Sequence, residues 1–236
     1  MIAIVDYGIG NLRSAQKAFE VLGVEAQLTD DPDIIARAGG VVLPGVGNFG
    51  KCMNALNERG LDTPCLDTIE RGQPFLGICV GLQMLFTSSE EAPDVKGLGV
   101  FDSEVRLLPE DVVVPHMGWN QCSGVAGDSE MFAGLGADPW MYFVHSFAST
   151  DVDEPWVAAS VWHGIDVVAA VERDNVWGSQ FHPEKSSNLG LQILANFASF
   201  CGLQPADPTH ADARPLAPST VDGAGDSVRS GPGTKG

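Results

Sequence analysis

The residues in this 236-residue chain best suited to chemistry are a cysteine and, far downstream, a histidine followed closely by a glutamate. Cys79 stands in Pro74-Phe75-Leu76-Gly77-Ile78-Cys79-Val80-Gly81-Leu82-Gln83-Met84. A short apolar run, read as a buried strand, ends in Gly-x-Cys-x-Gly, and a helix-like pattern follows. That is the layout of a nucleophile elbow, where strand turns sharply into helix and the central residue is exposed at the bend. Gly77 and Gly81 remove the side chains that would collide there. The following helix directs its N-terminal dipole at the sulfur, which favours the thiolate.

His182 and Glu184 lie in Gln180-Phe181-His182-Pro183-Glu184-Lys185-Ser186. Residues 175–181 read as a strand, so both side chains fall just past its C-terminal end, where open α/β sheets bind ligands. Pro183 stiffens the link between them. His182 can face a neighbouring strand end while Glu184 reaches its second ring nitrogen. A cysteine, a base and a group that orients the base form an activated nucleophile. Alone, a His-x-Glu is more often a surface histidine beside a solvated charge. Beside the cysteine elbow it reads as catalytic, and a metal site would need a third ligand at a recognisable spacing.

The elements that must position these residues alternate strand and helix over the first two-thirds of the chain, the pattern of a mostly parallel sheet. Strands are expected at residues 2–6, 24–28, 40–43 and in the elbow. Helices are expected at 11–22, 32–38, 50–60 and 63–71. From about residue 98 strand follows strand, at 100–107, 140–147, 157–163, 166–172 and 176–181, and a helix over 189–200 closes the domain. Residues 1–202 thus form one domain. Residues 203–236, rich in Pro, Gly, Ala, Ser and Asp without periodicity, read as a disordered tail.

A chain of this length buries a proper core. The formal net charge is −18; the tail holds four acids and three bases, so the acidity lies in the body. That charge argues against a nucleic acid held through its phosphates. No apolar run reaches the length of a membrane span, and the first residues carry no basic region or cleavage-site pattern of a signal peptide. Five cysteines without close pairs fit a reduced cytoplasm rather than a disulfide framework or zinc site.

Three further stretches combine glycines or histidines with strand ends. Asp6-Tyr7-Gly8-Ile9-Gly10-Asn11 suggests a dinucleotide fingerprint, but Arg13 stands where the third glycine should be. Leu43-Pro44-Gly45-Val46-Gly47-Asn48-Phe49 is a glycine-rich turn one strand before the elbow, able to present backbone N–H groups to an anionic intermediate. Val114-Pro115-His116-Met117-Gly118-Trp119-Asn120 and Tyr142-Phe143-Val144-His145-Ser146-Phe147 each place a histidine among strand residues, where it is more readily structural than catalytic.

Together these motifs resemble class I, triad-type glutamine amidotransferases and, within that group, the glutaminase subunits of imidazole glycerol phosphate synthase, over about residues 1–201. The broad group rests on the Cys79 and His182 motifs. The narrower one rests on Asp6-Tyr7-Gly8-Ile9-Gly10-Asn11-Leu12, the Pro44–Gly47 turn, Pro115-His116-Met117-Gly118-Trp119-Asn120 and Lys185-Ser186. Phe147 departs from the tyrosine common after His-Ser in the family.

The resemblance implies an α/β, flavodoxin-like fold: a mostly parallel central sheet flanked by helices, with additional antiparallel strands. It implies that Cys79 attacks the carboxamide of glutamine while His182, oriented by Glu184, moves the protons. The backbone N–H of Val80 and one from the Val46–Gly47 turn would hold the oxyanion. Gly47, Gln83, Glu91 or its neighbour Glu90, and His145, Ser146 and Phe147 would line the substrate pocket. No cofactor or metal is implied. The partner would be a (β/α)8-barrel cyclase subunit in a cytoplasmic heterodimer, docked near Asn11, Trp119 and Lys185. It would react the ammonia with a phosphoribulosyl-formimino aminoimidazole carboxamide ribotide to give imidazole glycerol phosphate and an aminoimidazole carboxamide ribotide. Such glutaminases idle until the partner is loaded, which implies that the Pro44–Gly47 turn reorients a donor.

Other readings are a glutaminase of another synthase, of the pyridoxal phosphate or anthranilate type, a non-catalytic regulatory relative, and a cysteine protease or esterase. The Pro-His-Met-Gly-Trp-Asn block argues against the first and the last, and the intact triad against the second.

Overall fold

The computed structural model describes residues 1–209. The strongly apolar runs become strands buried on both faces: β1 (Ile2–Val5), β3 (Gly40–Gly45), β4 (Phe75–Cys79) and β12 (Val176–Ser179) have no exposed residue. Such runs suit parallel strands covered by helices on either side. With β2 (Ala26–Thr29) they form the parallel half of a nine-stranded sheet, in the order β2-β1-β3-β4-β12.

The helices that connect them are α1 (Leu12–Val21), α2 (Pro32–Arg37), α3 (Phe49–Glu58) and α4 (Asp62–Glu70). The first three have a sequence-encoded reason to start or pack where they do. Ala15, Ala18 and Phe19 give α1 one buried face. Asp31 caps α2 by accepting the Asp33 N–H, and Asn48 caps α3 by accepting the Lys51 N–H. These boundaries agree with the sequence reading to within a residue or two.

The second half of the sheet is antiparallel. Beyond β12 come β11 (Asp166–Arg173), β10 (Val157–Trp162), β7 (His116–Ser123) and β8 (Trp140–His145). Half of the strand pairings are therefore antiparallel, more than "mostly parallel" conveys, because the run of strands after residue 98 joins the central sheet itself. A small second sheet holds β5 (Phe86–Ser89), β6 (Phe101–Leu107) and β9 (Phe147–Ala148).

Three elements differ from expectation. β5 follows the short helix α5 (Val80–Leu85) with no intervening residue, so no turn signal marks it. β7 is an additional full strand, its alternation blurred by the exposed Met117 and Trp119. The expected strand over 140–147 is broken at Ser146, where the chain leaves β7 as a partner and joins β6.

Helix α6 (Ser187–Phe200) closes the body, with Ile193, Leu194, Phe197 and Ala198 in the core. Past residue 202 the chain keeps to the body through Pro208. Leu203 N–H bonds to the Ala198 carbonyl, Ala206 N–H bonds to the Leu22 carbonyl, and Pro208 is buried. The rest of the expected tail, 210–236, lies outside the described residues. Among the described residues no helix is long and apolar enough to cross a membrane.

Candidate active site

Cys79 is the last residue of β4 and precedes α5 directly. The reversal leaves it at φ 56°, ψ −111°, a conformation that costs a non-glycine residue on the order of 1–3 kcal/mol. The flanking glycines are required by space. A Cβ on Gly81 would stand 1.8 Å from the Leu43 carbonyl oxygen, and one on Gly77 would stand 2.8 Å from that of Gly81. The elbow expected from the sequence is present, although α5 has only 6 residues and so a smaller dipole than a long helix would offer.

The pairing of β12 with β4 brings the other two groups to the cysteine. Ser179 is in register with Ile78, so the chain leaving β12 passes the elbow three residues later, at His182. His182 Nδ1 lies 2.8 Å from Glu184 Oε1, and both residues are buried. Burial opposes a charge on the imidazole, but the Cys79 sulfur and then Glu184 outweigh it and push the pKa of His182 up to about 10. The second carboxylate oxygen of Glu184 is buried without a partner among the described residues.

The backbone of the segment from His182 to Ser186 is anchored on β8. The His182 N–H donates to the Tyr142 carbonyl at 3.0 Å. The Ser186 hydroxyl accepts the Tyr142 N–H at 3.0 Å and donates to the His182 carbonyl at 2.7 Å. A single 3-10 turn, Pro183–Lys185, separates the two contacts.

The glycine-rich turn flanks the elbow from the other side. Gly45 is in register with Cys79, and Gly47 follows with φ +87°. The turn is held by groups that the sequence reading passed over. The Tyr7 hydroxyl donates to the Pro44 carbonyl at 2.7 Å, and the Cys52 thiol to that of Val46 at 3.4 Å. Tyr7 belongs to the stretch that suggested a dinucleotide loop; its ring is buried, and an Arg59 guanidinium lies against Gly8 beside it. A narrow crevice lined by Asn11, Pro44, Val46, Ile78, His182 and Glu184 adjoins the triad.

The two adjacent glutamates separate cleanly. Glu91 Oε2 accepts the Phe49 N–H, two residues past Gly47, whereas Glu90 Oε2 accepts the Leu107 N–H on β6. Gln83, on α5, donates through Nε2 to the Phe147 carbonyl at 2.9 Å and to Gln180 Oε1 at 3.0 Å. Gln180 Nε2 in turn lies 3.8 Å from the Cys79 sulfur. Gln180 was not singled out from the sequence, although an amide in the apolar run Val176–Phe181 was the available signal.

His145 turns its ring inward, so of the His145-Ser146-Phe147 stretch it is the Phe147 carbonyl that meets Gln83. Ser146 is half-buried and its carbonyl accepts the Leu108 N–H. Trp119 and Lys185 are exposed and Asn11 is half-buried. Trp119 stands edge-on to Tyr142 with ring centroids 6.1 Å apart.

Residues 3–200 match the family Glutamine amidotransferase class-I. Imidazole glycerol phosphate synthase subunit HisH of Geobacter metallireducens is 50% identical over 204 residues, covering 84% of this chain and 97% of that protein. The chain is a class-I glutamine amidotransferase of the HisH family. HisH of Syntrophotalea carbinolica is 48% identical over 84% of this chain and 98% of its own length. Among solved structures, one described as a glutamine amidotransferase superposes with a TM-score of 0.68 at 19% identity, covering 86% of this chain and 99% of that one. The glutaminase domain of Trypanosoma brucei CTPS with bound acivicin superposes with a TM-score of 0.62 at 16% identity, covering 88% and 96%. At these identities the superpositions speak for the fold. The nine-stranded sheet with its elbow cysteine is thus the class-I amidotransferase fold.

Proposed function

We propose that this chain is the glutaminase subunit of an imidazole glycerol phosphate synthase, hydrolysing glutamine to glutamate and ammonia and passing the ammonia to a docked (β/α)8-barrel cyclase. The observation that carries the chemistry is the Cys79–His182–Glu184 constellation, built from the ends of two neighbouring parallel strands.

The sulfur of Cys79 attacks the side-chain carboxamide carbon of glutamine. The oxyanion that forms is held by the Val80 N–H and by a donor from the Val46–Gly47 turn; one such donor is worth about 3 kcal/mol of barrier. His182, kept protonated at neutral pH, delivers its proton to the departing ammonia. The now neutral imidazole takes a proton from water, which hydrolyses the glutamyl thioester and frees the sulfur. Glu184, bonded to Nδ1, fixes the ring so that its other nitrogen faces the sulfur throughout. Gln83, Glu91, Gly47 and the backbone of 145–147 grip the amino and carboxylate groups of the substrate.

The exposed Trp119 and Lys185, with Asn11, form the docking face for the barrel. Docking shifts the clamped Pro44–Gly47 turn, so the isolated chain idles. Glutamate release from glutamine, measured with and without a purified cyclase barrel and its nucleotide, tests this. Strong stimulation that disappears in Cys79→Ala is expected. Equal turnover with and without the barrel would overturn the partner assignment, and release retained by Cys79→Ala the chemistry.

A further inference from the structure

A chain of hydrogen bonds, exposed at Asn120 and buried further in, runs from β7 to the nucleophile, and backbone groups fix its direction at Asn120 and at the Phe147 carbonyl. At the outer end the Asn120 carboxamide oxygen accepts the Gln121 N–H at 2.8 Å and its Nδ2 donates to the Trp162 carbonyl at 3.0 Å. Those two contacts allow only one orientation of the amide. Its remaining N–H therefore points at His116 Nε2, 3.1 Å away, and that nitrogen must carry the lone pair.

His116 Nδ1 is then the protonated nitrogen, and it lies 2.9 Å from His145 Nε2. His145 donates through Nδ1 to the Phe147 carbonyl at 3.0 Å, which can only accept. Each tautomer is thus dictated by its neighbour, and the two assignments agree. An added proton on either ring would set N–H against N–H. Burial, followed by the neighbouring histidines, holds both rings neutral, with pKa values brought down to about 4 for His116 and about 3 for His145.

The Phe147 carbonyl completes the path. It accepts from His145 on one side and from Gln83 Nε2 on the other. Gln83 Nε2 also donates to Gln180 Oε1, so the NH2 group of Gln180, and not its carbonyl, faces the Cys79 sulfur. An N–H donor suits a sulfur that becomes anionic; a carbonyl oxygen would repel it.

We infer that His116 and His145, tied to β7 through Asn120, are positioning residues of the glutaminase site. They hold the Phe147 carbonyl where the chain breaks out of the sheet at Ser146, and through it they set Gln83 against the substrate and the Gln180 N–H against the nucleophile. This rests on the glutaminase reading above for its consequence, but not for the direction of the hydrogen bonds.

Two measurements test it. Heteronuclear NMR of the histidine rings in the full chain at neutral pH should find both His116 and His145 in the Nδ1–H tautomer; an Nε2–H tautomer at either ring overturns the inference. Kinetics of the complex with the cyclase barrel should separate positioning from plain packing. His116→Phe keeps the ring stacked on Phe143 and His163 but withdraws the donor from His145. The KM for glutamine should rise about tenfold, the worth of roughly one lost buried hydrogen bond. His116→Asn, whose amide N–H falls near the lost Nδ1–H, should recover much of it. A KM within twofold of the parent in a folded, barrel-bound His116→Phe overturns the positioning role. A parent complex that releases no glutamate would instead overturn the glutaminase reading, and the NMR result would still decide the hydrogen-bond chain.

Discussion

The Glu91 carboxylate accepts the Phe49 N–H at 2.6 Å, which ties a loop beyond β5 to the start of α3 and so to the turn that faces Cys79. Glu90, one residue away, is spent on β6 instead. A charge-assisted bond of this kind is worth about 1.5–3 kcal/mol. We expect Glu91→Ala to lower kcat/KM for glutamine in the barrel complex about tenfold to a hundredfold. Glu90→Ala should stay within about threefold of the parent, as suits an exposed bond. Steady-state kinetics on the two variants decide between the neighbours, and the opposite ranking would move the substrate contact to Glu90.

The strain at Cys79 should be measurable as stability. At φ 56° a glycine relaxes what any other residue must hold. Cys79→Gly and Cys79→Ala both lack the proposed nucleophile and should be equally inactive. Cys79→Gly should nonetheless be the more stable by about 1 kcal/mol, the strain of a few kcal/mol less the greater chain entropy of unfolded glycine. Chemical denaturation of the two variants provides the comparison; equal midpoints would show that the elbow relaxes around alanine.

The opposite holds at Gly81, where a Cβ would meet the Leu43 backbone at 1.8 Å with no flexible side chain to yield. Gly81→Ala must separate α5 from β3, and we expect the elbow to distort enough to cost several kcal/mol. Soluble yield and melting temperature would report it. A Gly81→Ala protein as stable as the parent would mean that α5 can shift freely.

Three histidines should shape the pH dependence of folding, with opposite signs. His116 and His145 protonate near pH 6.5 when unfolded but only near 4 and 3 when folded. Between those limits the unfolded chain binds more protons, so stability falls as the pH drops below about 6.5, by up to about 1.4 kcal/mol per pH unit for each ring. His182 is raised to about 10, so its contribution is complete below about pH 6.5 and is lost as the pH climbs toward 10. Urea midpoints from pH 4 to 9 should therefore peak near 6.5. His116→Phe should flatten the acid side and Cys79→Ala the alkaline side; unchanged limbs in both variants would remove these groups from the account.

Trp119 offers a large exposed ring beside Tyr142, the sort of residue that anchors interfaces. Trp119→Ala should weaken binding to the cyclase barrel by about 2 kcal/mol, roughly thirtyfold, with an unchanged melting temperature of the free chain. Calorimetric titration would show it. Unaltered affinity would shift the docking face away from β7.

The parallel half of the fold was legible because four of its five strands, β1, β3, β4 and β12, are buried apolar runs, and Asp31 and Asn48 mark the starts of α2 and α3. The triad residues were legible because glycine spacing and the His-Pro-Glu run are local signals. What brings them together is not local: the register of Ser179 against Ile78 spans about a hundred residues and leaves no trace in either segment. The break at Ser146 was hidden for a related reason, since the residues on both sides are strand-formers and only their change of partner marks it. The amide-and-histidine path from Asn120 to Cys79 was likewise invisible. His116 and His145 meet through cross-strand pairing, while each alone looks like an ordinary strand histidine.

The anchoring of His182 and Ser186 on Tyr142 has a consequence for solubility. β8 is one of the two edge strands of the large sheet, and an open edge is a template on which another chain can add a strand. Here part of that edge is sealed by the segment that carries His182 and Glu184, the proposed base and its orienting carboxylate. A chain in which residues 182–186 swing away would lose more than turnover. It would bare unpaired backbone groups beside the exposed Trp119 and Trp140, and its expected fate is self-association into aggregates rather than persistence as an idle monomer.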